Sequence, residues 1–276
     1  MKKLLKGKPV AENILNNIKE YASKNSLKMA IVQIGDDSAS TWYRNFKSKK
    51  AKILGIETEE YLFNKNDNQN KIIKKIEELN HDRSITGIFL EQPFPDNFDK
   101  NKIVDSINPL KDIDGITTLN AGKLYLNKKG LFPATAKAII EILDFYDIKI
   151  KGKRVVIIGR SDIVGKPVGF LIMHRHGTIT ICHSRTENLS EVAREGDILI
   201  AAVGKAKMIK NDFVKKNAVV VDAGYNVEDK EVNGDVDFKN VKNKAGFITP
   251  VPNGVGTVTT SMIFKNLILA HKYQNE

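Results

Sequence analysis

The sequence predicts an α/β protein of two α/β domains, the second a Rossmann-like unit on a parallel sheet. Short apolar runs alternate with amphipathic stretches almost from end to end, which is the pattern of βαβ units. Four such runs, RVVIIG, TITICH, DILIAAV and AVVVDAG, fall between Arg154 and Gly224, a spacing that suits a compact dinucleotide-type unit. The 276 residues suffice for two medium domains, each with a sizeable core.

Taken in order, Val10, Ile14, Leu15, Ile18, Tyr21 and Ala22 fall at helical spacing, and MAIVQIG then reads as a buried strand ending at Gly35. A helix follows around residues 41 to 54, then a strand near EEYLF, a helix over DNQNKIIKKIEEL and the strand TGIFL. Pro93 and Pro95 end that strand in a loop, because proline cannot donate to a central ladder. A helix from Ala136 to Phe145 and the loop DIKIKGKR lead into the second series of strands, with helices between the first pairs. The boundary is placed near residue 120, giving a first domain over 1–120 and a second over 121–256. Apolar periodicity from Thr257 to Tyr273 predicts a last helix, within a segment 257–276 that returns to the first domain.

Composition excludes several classes. Hydrophobic residues make up 41% and charged ones 28%, and no apolar run approaches the roughly 20 residues that span a bilayer, so no membrane segment is expected. The start, MKKLLKGKPVAENI, lacks the apolar stretch and cleavage site of a secretory signal, and a cytoplasmic protein is expected. Cys182 is the sole cysteine and the five histidines show no HExxH spacing, so neither a disulfide nor a metal site is expected. The net charge of +11 is spread over lysines interleaved with Asp, Glu and Asn, as on solvated faces, and nucleic acid is not the expected partner. A basic surface also suits small anionic ligands gathered by electrostatic focusing.

Chemistry concentrates in a few stretches. In VVIIGRSDIVGKPVGF, Gly159 and Gly165 can let a backbone approach a pyrophosphate at the next helix's N-terminus, although the spacing is GxxxxxG rather than GxGxxG. The second strand ends in CHSRT. An NAD enzyme usually carries an acid there for the ribose hydroxyls, whereas His183, Ser184 and Arg185 offer donors and positive charge. With Arg160 in the first turn, they favour the 2′-phosphate of NADP, the alternative being arginines that cap helices or face water.

In SASTWYRNFKSKKAKILG, helical geometry places Tyr43, Phe46, Lys50, Ile53 and Leu54 on one arc with Lys47 at its edge, while Arg44, Ser48 and Lys52 point elsewhere. Tyr43 and Lys47, four apart, can send both polar tips into one cleft. Snorkelling of the lysine to water is the reading that periodicity alone favours. FLEQPFP puts Glu91 and Gln92 at a strand's C-terminal end, where open α/β sheets place ligands. KDIDGIT offers Asp112 and Asp114 in a glycine turn, a place where carboxylates are more often turn formers than catalysts.

Together these stretches resemble the bifunctional methylenetetrahydrofolate dehydrogenase/methenyltetrahydrofolate cyclohydrolase family over nearly the whole chain. The carriers are SxxYxxxK at Ser40, Tyr43 and Lys47, the QPFP region, KDIDGIT with LNAGKL, PAT at Pro133 to Thr135, GRSxIVGKP at Gly159 to Pro167, CHSRT, and TPVPNGVGTVT. Each is weak alone, and their joint order is specific.

The resemblance implies oxidation of methylenetetrahydrofolate by hydride transfer to NADP⁺, then hydrolysis to formyltetrahydrofolate, in one-carbon metabolism and purine biosynthesis. It implies a folate cleft between the two domains, and a homodimer. By position, Lys47 would be the central catalytic group, Tyr43 would stack on or orient the folate, and Asp114 would hold the aminopyrimidine end of the pterin. Glu91 would stand beside Lys47, and Ser40, Gln92, Pro252, Gly254 and Gly256 would complete the folate side, the last three in a closing loop. Gly159, Arg160, Ser161, Val164, Gly165, Ser184, Arg185, Gly204 and Tyr225 would line the NADP site.

This chain departs from the family pattern Gln-x-Pro-x-Pro, carrying Glu91 at the glutamine position. An ionised glutamate there favours the charged form of Lys47 and weakens it as a base, so dehydrogenase activity is expected to persist and cyclohydrolase activity to fall. Lys50 could instead pair with Glu91 and leave Lys47 free. Ala136, Ala138, Asn253 and Thr257 also replace usual residues, and Asn253 tolerates positive φ well enough to keep the closing loop in shape.

Overall fold

The computed structural model describes residues 3–228 and 231–276. The chain forms two compact units, a first of Ile14–Phe132 with Ile263–Glu276, and a second of residues up to Asn13 with Pro133–Met262. The division thus falls at 132 rather than near 120, and the segment that rejoins the first unit begins at Ile263 rather than Thr257. Neither point carries a sequence break.

β1 (Lys3–Leu4) and α1 (Gly7–Ala22) come first. β1 pairs in parallel with Phe247 and Ile248, which explains why the N-terminal residues group with the second unit. Two residues in a lysine-rich start leave no alternation to read as a strand.

The first unit is built on a three-stranded parallel sheet, β3 (Glu57–Phe63), β2 (Lys28–Ile34) and β4 (Gly87–Leu90), with β2 central. β2 is buried from Met29 to Ile34, the near-continuous apolar run of a strand covered on both faces. Helix α2 (Ser38–Ile53) starts where Asp37 accepts from the Ser40 amide at 2.7 Å, a side-chain cap for an otherwise orphan donor. α3 (Gln69–His81) buries Ile72, Ile76 and Leu79 at i, i+4 and i+7, one stripe against the sheet. The buried Lys111 ammonium donates to the Leu79 and Asp82 carbonyls, closing that helix's C-terminal end. Short helices α4 (Lys100–Asp105) and α5 (Thr118–Tyr125) follow, neither of them expected from periodicity.

The second unit starts with α6 (Ala134–Phe145), in which Ala136 and Ala138 are fully buried. β5 (Arg154–Ile158), α7 (Gly165–Met173), β6 (Thr178–Cys182), α8 (Leu189–Arg194), β7 (Ile198–Ala201) and β8 (Val219–Asp222) form the Rossmann-like part. The hairpin β9 (Asn226–Glu228) and β10 (Glu231–Asn233), α9 (Phe238–Val241) and β11 (Phe247–Ile248) follow. The strand order β1-β11-β8-β7-β5-β6 is parallel throughout. It reverses between β5 and β7, and ligands bind outside the carboxyl ends at such a reversal. α10 (Val255–Gln274) ends the chain, and among the described residues no helix is long and apolar enough to cross a membrane.

Candidate active site

Lys47 sits at the middle of the inward face of α2, not at its edge. Ser40, Lys47, Ala51 and Leu54 are buried, whereas Phe46 is 38% and Ile53 66% exposed. Two side chains expected to point elsewhere fix this rotation. Ser48 donates to Glu60 Oε1 at 2.6 Å, Arg44 Nε lies 2.9 Å from Glu60 Oε2, and Arg44 Nη1 donates to Gln33 at 2.8 Å. Polar contacts with β2 and β3 thus turn the aromatic arc outward, where Trp42 and Phe46 stack at 5.3 Å. An apolar periodicity count cannot see such contacts.

The lysine does not snorkel. Its side chain is 4% exposed, and its ammonium lies 2.8 Å from Glu91 Oε1 and 3.1 Å from Oε2, donating to Oε2. Oε1 takes the close charge contact without an aligned hydrogen bond. The ammonium also lies 4.4 Å from the Phe89 ring centroid and 5.2 Å from that of Tyr43, within cation–π range. Lys50 does not reach Glu91; its ammonium lies 5.7 Å from the Phe46 ring centroid. Burial raises the Glu91 carboxyl above its ordinary range, and Lys47 opposes that shift.

Asp114 completes the group. It keeps a partly accessible edge, yet dense surroundings push its carboxyl up to about 7, with the Asp112 charge adding to the effect and Lys47 opposing it. Asp112 is the turn former. Its carboxylate accepts from the Gly115, Ile116 and Thr117 amides, the Thr117 hydroxyl and Asn120, which leaves Asp114 as the carboxyl not consumed by the turn. Ser40 donates to the Gln92 carbonyl at 3.1 Å and so ties α2 to the loop after β4. The Gln92 side chain accepts from Lys100. Two surface pockets of the first unit, about 800 Å³ and 440 Å³, lie beside Lys49 and beside Gln33, and neither is lined by Lys47, Glu91 or Asp114.

In the second unit, Gly159 has φ +129°, and a Cβ there would lie 2.1 Å from the Ala202 carbonyl oxygen. At Gly165 a Cβ would meet the Gly159 oxygen at 2.2 Å, so both glycines are required for the close approach of loop to helix start. Ser161 Oγ accepts from the Val164 and Gly165 amides at 3.3 and 3.4 Å. Arg160, Ser184, Arg185 and Gly204 are exposed, and Tyr225 is 58% exposed. A tight glycine cradle opening a nine-residue helix, flanked by exposed guanidiniums, fits a phosphorylated dinucleotide.

The closing loop holds exposed Pro252, buried Gly254 and exposed Gly256. Asn253 adopts φ +78° and its carbonyl accepts from the Gly7 amide at 2.8 Å. The sequence reading missed Asp222 and Asp235, both buried at the C-terminal side of the second sheet. The signal was present in VVVDAG and NGDVD, where each acid lies within two residues of a glycine.

Both units of the chain are similar to known proteins. Residues 5–114 match the family described as tetrahydrofolate dehydrogenase/cyclohydrolase, catalytic domain, and residues 133–275 its NAD(P)-binding domain. A relative from Clostridium tetani, named bifunctional protein FolD, is 43% identical, with 95% of this chain and 96% of that protein covered. Another of that name from Caldanaerobacter subterraneus is 41% identical, with 98% and 97% covered. The crystal structure of the bifunctional FolD dehydrogenase/cyclohydrolase from Campylobacter jejuni superposes with a TM-score of 0.95 at 36% identity, covering 99% of each chain. That of the Trypanosoma brucei enzyme, complexed with NADP cofactor and inhibitor, gives 0.93 at 29% identity, covering 99% and 98%. The chain belongs to the tetrahydrofolate dehydrogenase/cyclohydrolase family.

Proposed function

We propose that this protein oxidises methylenetetrahydrofolate to methenyltetrahydrofolate and hydrolyses the product to formyltetrahydrofolate. NADP⁺, when bound, accepts the hydride. The observation that carries this reading is the buried Lys47–Glu91 pair with Asp114 beside it, on the unit that matches the family's catalytic domain.

Asp114 holds the aminopyrimidine end of the pterin, because two carboxylate oxygens accept parallel N–H bonds. Tyr43, already against the Lys47 ammonium, supplies a ring face for the folate. Ser40 and Gln92 brace the strand-end loop, and the family resemblance gives Pro252, Gly254 and Gly256 a folate-binding role. Gly159, Ser161, Val164 and Gly165 receive the pyrophosphate, while Arg160, Ser184 and Arg185 take the 2′-phosphate and select NADP over NAD. Gly204 and Tyr225 flank the nicotinamide half.

The two steps make different demands on Lys47. Loss of a hydride leaves a cation stabilised by the adjacent ring nitrogens, so this step needs positioning and no proton transfer. In hydrolysis, water attacks the methenyl carbon and loses a proton, and one of the two carbon–nitrogen bonds then breaks as the hydroxyl proton passes to the departing nitrogen, leaving the formyl group on the other. An amine serves as base only without its own extra proton, and the Glu91 carboxylate, 2.8 Å from the Lys47 nitrogen, competes with the attacking water for that group. Glu91 therefore sets the balance between the steps, leaving dehydrogenation intact and slowing hydrolysis. The family resemblance supports a homodimer in the cytoplasm, and sedimentation of the purified protein at twice the chain mass tests the first of these.

The decisive assay follows NADPH formation from methylenetetrahydrofolate with NADP⁺ or NAD⁺, and methenyl decay separately. We expect turnover with NADP⁺ preferred and loss of hydrolysis in Lys47→Met. Full hydrolysis in that variant would remove Lys47 from the reaction.

A further inference from the structure

At the C-terminal ends of β7 and β8, two buried carboxylates interlock three loops. Asp235 is fully buried, and it accepts from the amides of Val203 (2.6 Å), Gly204 (3.1 Å) and Lys205 (3.0 Å) and from Asn226 Nδ2 (2.9 Å). Asp222, 3% exposed, accepts from the amides of Gly224 (2.9 Å), Asp235 (3.0 Å) and Val236 (3.0 Å). Its own amide donates to Thr249 Oγ1 at 2.7 Å. A Cβ at Gly224 would lie 2.3 Å from Asp235 Cγ, and one at Gly234 1.9 Å from Asp222 Oδ2. The glycines are what let the acids seat against the backbone.

Burying two carboxylates side by side without matching cations is unfavourable. It pushes Asp222 up to about 6, with the charge of Asp235 contributing. A fold that needed only to close these loops could do so with neutral groups. What the carboxylates provide is acceptors, since three consecutive amides at 203–205 all point at one side chain. The 203–205 backbone is thereby turned inward, and Gly204, at φ +70°, is left exposed, with no atom beyond its chain neighbours within 4 Å of its Cβ position.

The strand order gives this assembly a place along a bound dinucleotide. The guanidiniums that suit an adenosine phosphate follow β5 and β6, and the order then runs outward through β7 to β8. A dinucleotide laid across the reversal between β5 and β7 carries its nicotinamide half over the ends of β7 and β8. We propose that Asp235, supported by Asp222, is a positioning residue for the nicotinamide half of the nucleotide, holding the 203–205 loop and the Asn226 end of β9 in the shape that receives it. This rests on the NADP reading above. Neither carboxylate touches the nucleotide; each acts through the backbone it holds.

Asp235→Asn replaces one acceptor oxygen by a donor facing amides that also donate, so it opens the loop without removing volume. The test measures affinity by titration of the full-length protein, in the absence of folate, for NADP⁺ and for adenosine 2′,5′-bisphosphate, which lacks the nicotinamide half. In Asp235→Asn we expect the Kd for NADP⁺ to rise about tenfold and that for the bisphosphate to stay within about twofold. Asn226→Ala keeps the carboxylate and removes only the Asn226 Nδ2 bonds to Asp235 and to the Asn233 carbonyl, and it decides the matter where Asp235→Asn does not fold; we expect a rise of about threefold for NADP⁺ alone. Unchanged NADP⁺ affinity in the folded variant, or equal loss for both ligands, overturns the positioning role while leaving the NADP reading in place. Wild-type protein that binds neither ligand overturns the NADP reading itself, and this inference with it.

Discussion

In the first unit the ionisable groups assigned to chemistry are largely shielded, with Lys47 and Glu91 each 4% exposed and the partly accessible Asp114 pushed up to about 7, whereas the second unit keeps Arg160 and Arg185 exposed after β5 and β6. The contrast separates two ways of using charge. Buried groups tie their protonation to folding and to one another, and so can govern a reaction that moves protons. Exposed guanidiniums cost little to maintain and are screened by salt, which suits recognition of a phosphate that arrives with its own charge.

Removing the centre of the buried group is the largest perturbation. Lys47→Met takes away both the amine and the countercharge of Glu91, leaving a buried carboxylate without its partner. We expect hydrolysis to fall about a thousandfold, within the usual contribution of general base catalysis. Stability falls by about 3 kcal/mol. Urea titration checks the second effect, and Lys47→Met with Glu91→Gln together should regain most of the lost stability but none of the hydrolysis.

The exposed side of the comparison predicts a selective effect. Arg160→Ala loses charge-assisted hydrogen bonds to the 2′-phosphate, and the preference for NADP⁺ over NAD⁺ should fall about tenfold to a hundredfold. The KM for NAD⁺ should not move, and added salt should narrow the gap between wild type and variant. A change confined to kcat would mean that the guanidinium serves the reaction and not recognition.

Glu91→Gln probes how the two members of the buried pair share charge. A neutral amide removes the carboxylate that competes with water for Lys47, so the ratio of hydrolysis to dehydrogenation should rise about fivefold. Measuring both steps on one preparation removes differences in active fraction. An unchanged ratio would show that Glu91 does not set the balance.

These contrasts also mark what the sequence could disclose. The second unit was legible because parallel strands buried on both faces are continuous apolar runs, as in RVVIIG and DILIAAV, and because glycines at 159 and 165 punctuate them. α2 was legible as a helix but not in its rotation, since the contacts of Arg44 and Ser48 with Glu60 depend on which strand lies beneath. Asp114 and Asp112 look alike in KDIDGIT, and only the five hydrogen bonds onto Asp112 separate turn former from free carboxyl. The pair β1 and β11 escaped notice because two residues each carry no periodicity.

The smallest expected effect concerns Asp114 and stability. Its carboxyl has an ordinary value of 3.8 and is raised to about 7 in the folded chain, mainly by burial. Between those values the folded protein holds a proton that the unfolded chain has released, so stability falls as pH rises from about 4 to about 7 and the loss is complete above that. Its accessible edge lets solvent screen the ionised form, which reduces the cost to on the order of 1 kcal/mol. Asp114→Asn abolishes this dependence. Denaturant titrations of unliganded protein at pH 5 and pH 8 should therefore give the variant a smaller decline than wild type over that interval, with the variant the more stable at pH 8, while its folate affinity falls because one acceptor for the aminopyrimidine is gone. Parallel declines in the two proteins would mean that Asp114 is ionised at little cost, and the contrast between a buried proton-linked unit and an exposed phosphate-binding one would then rest on Lys47 and Glu91 alone.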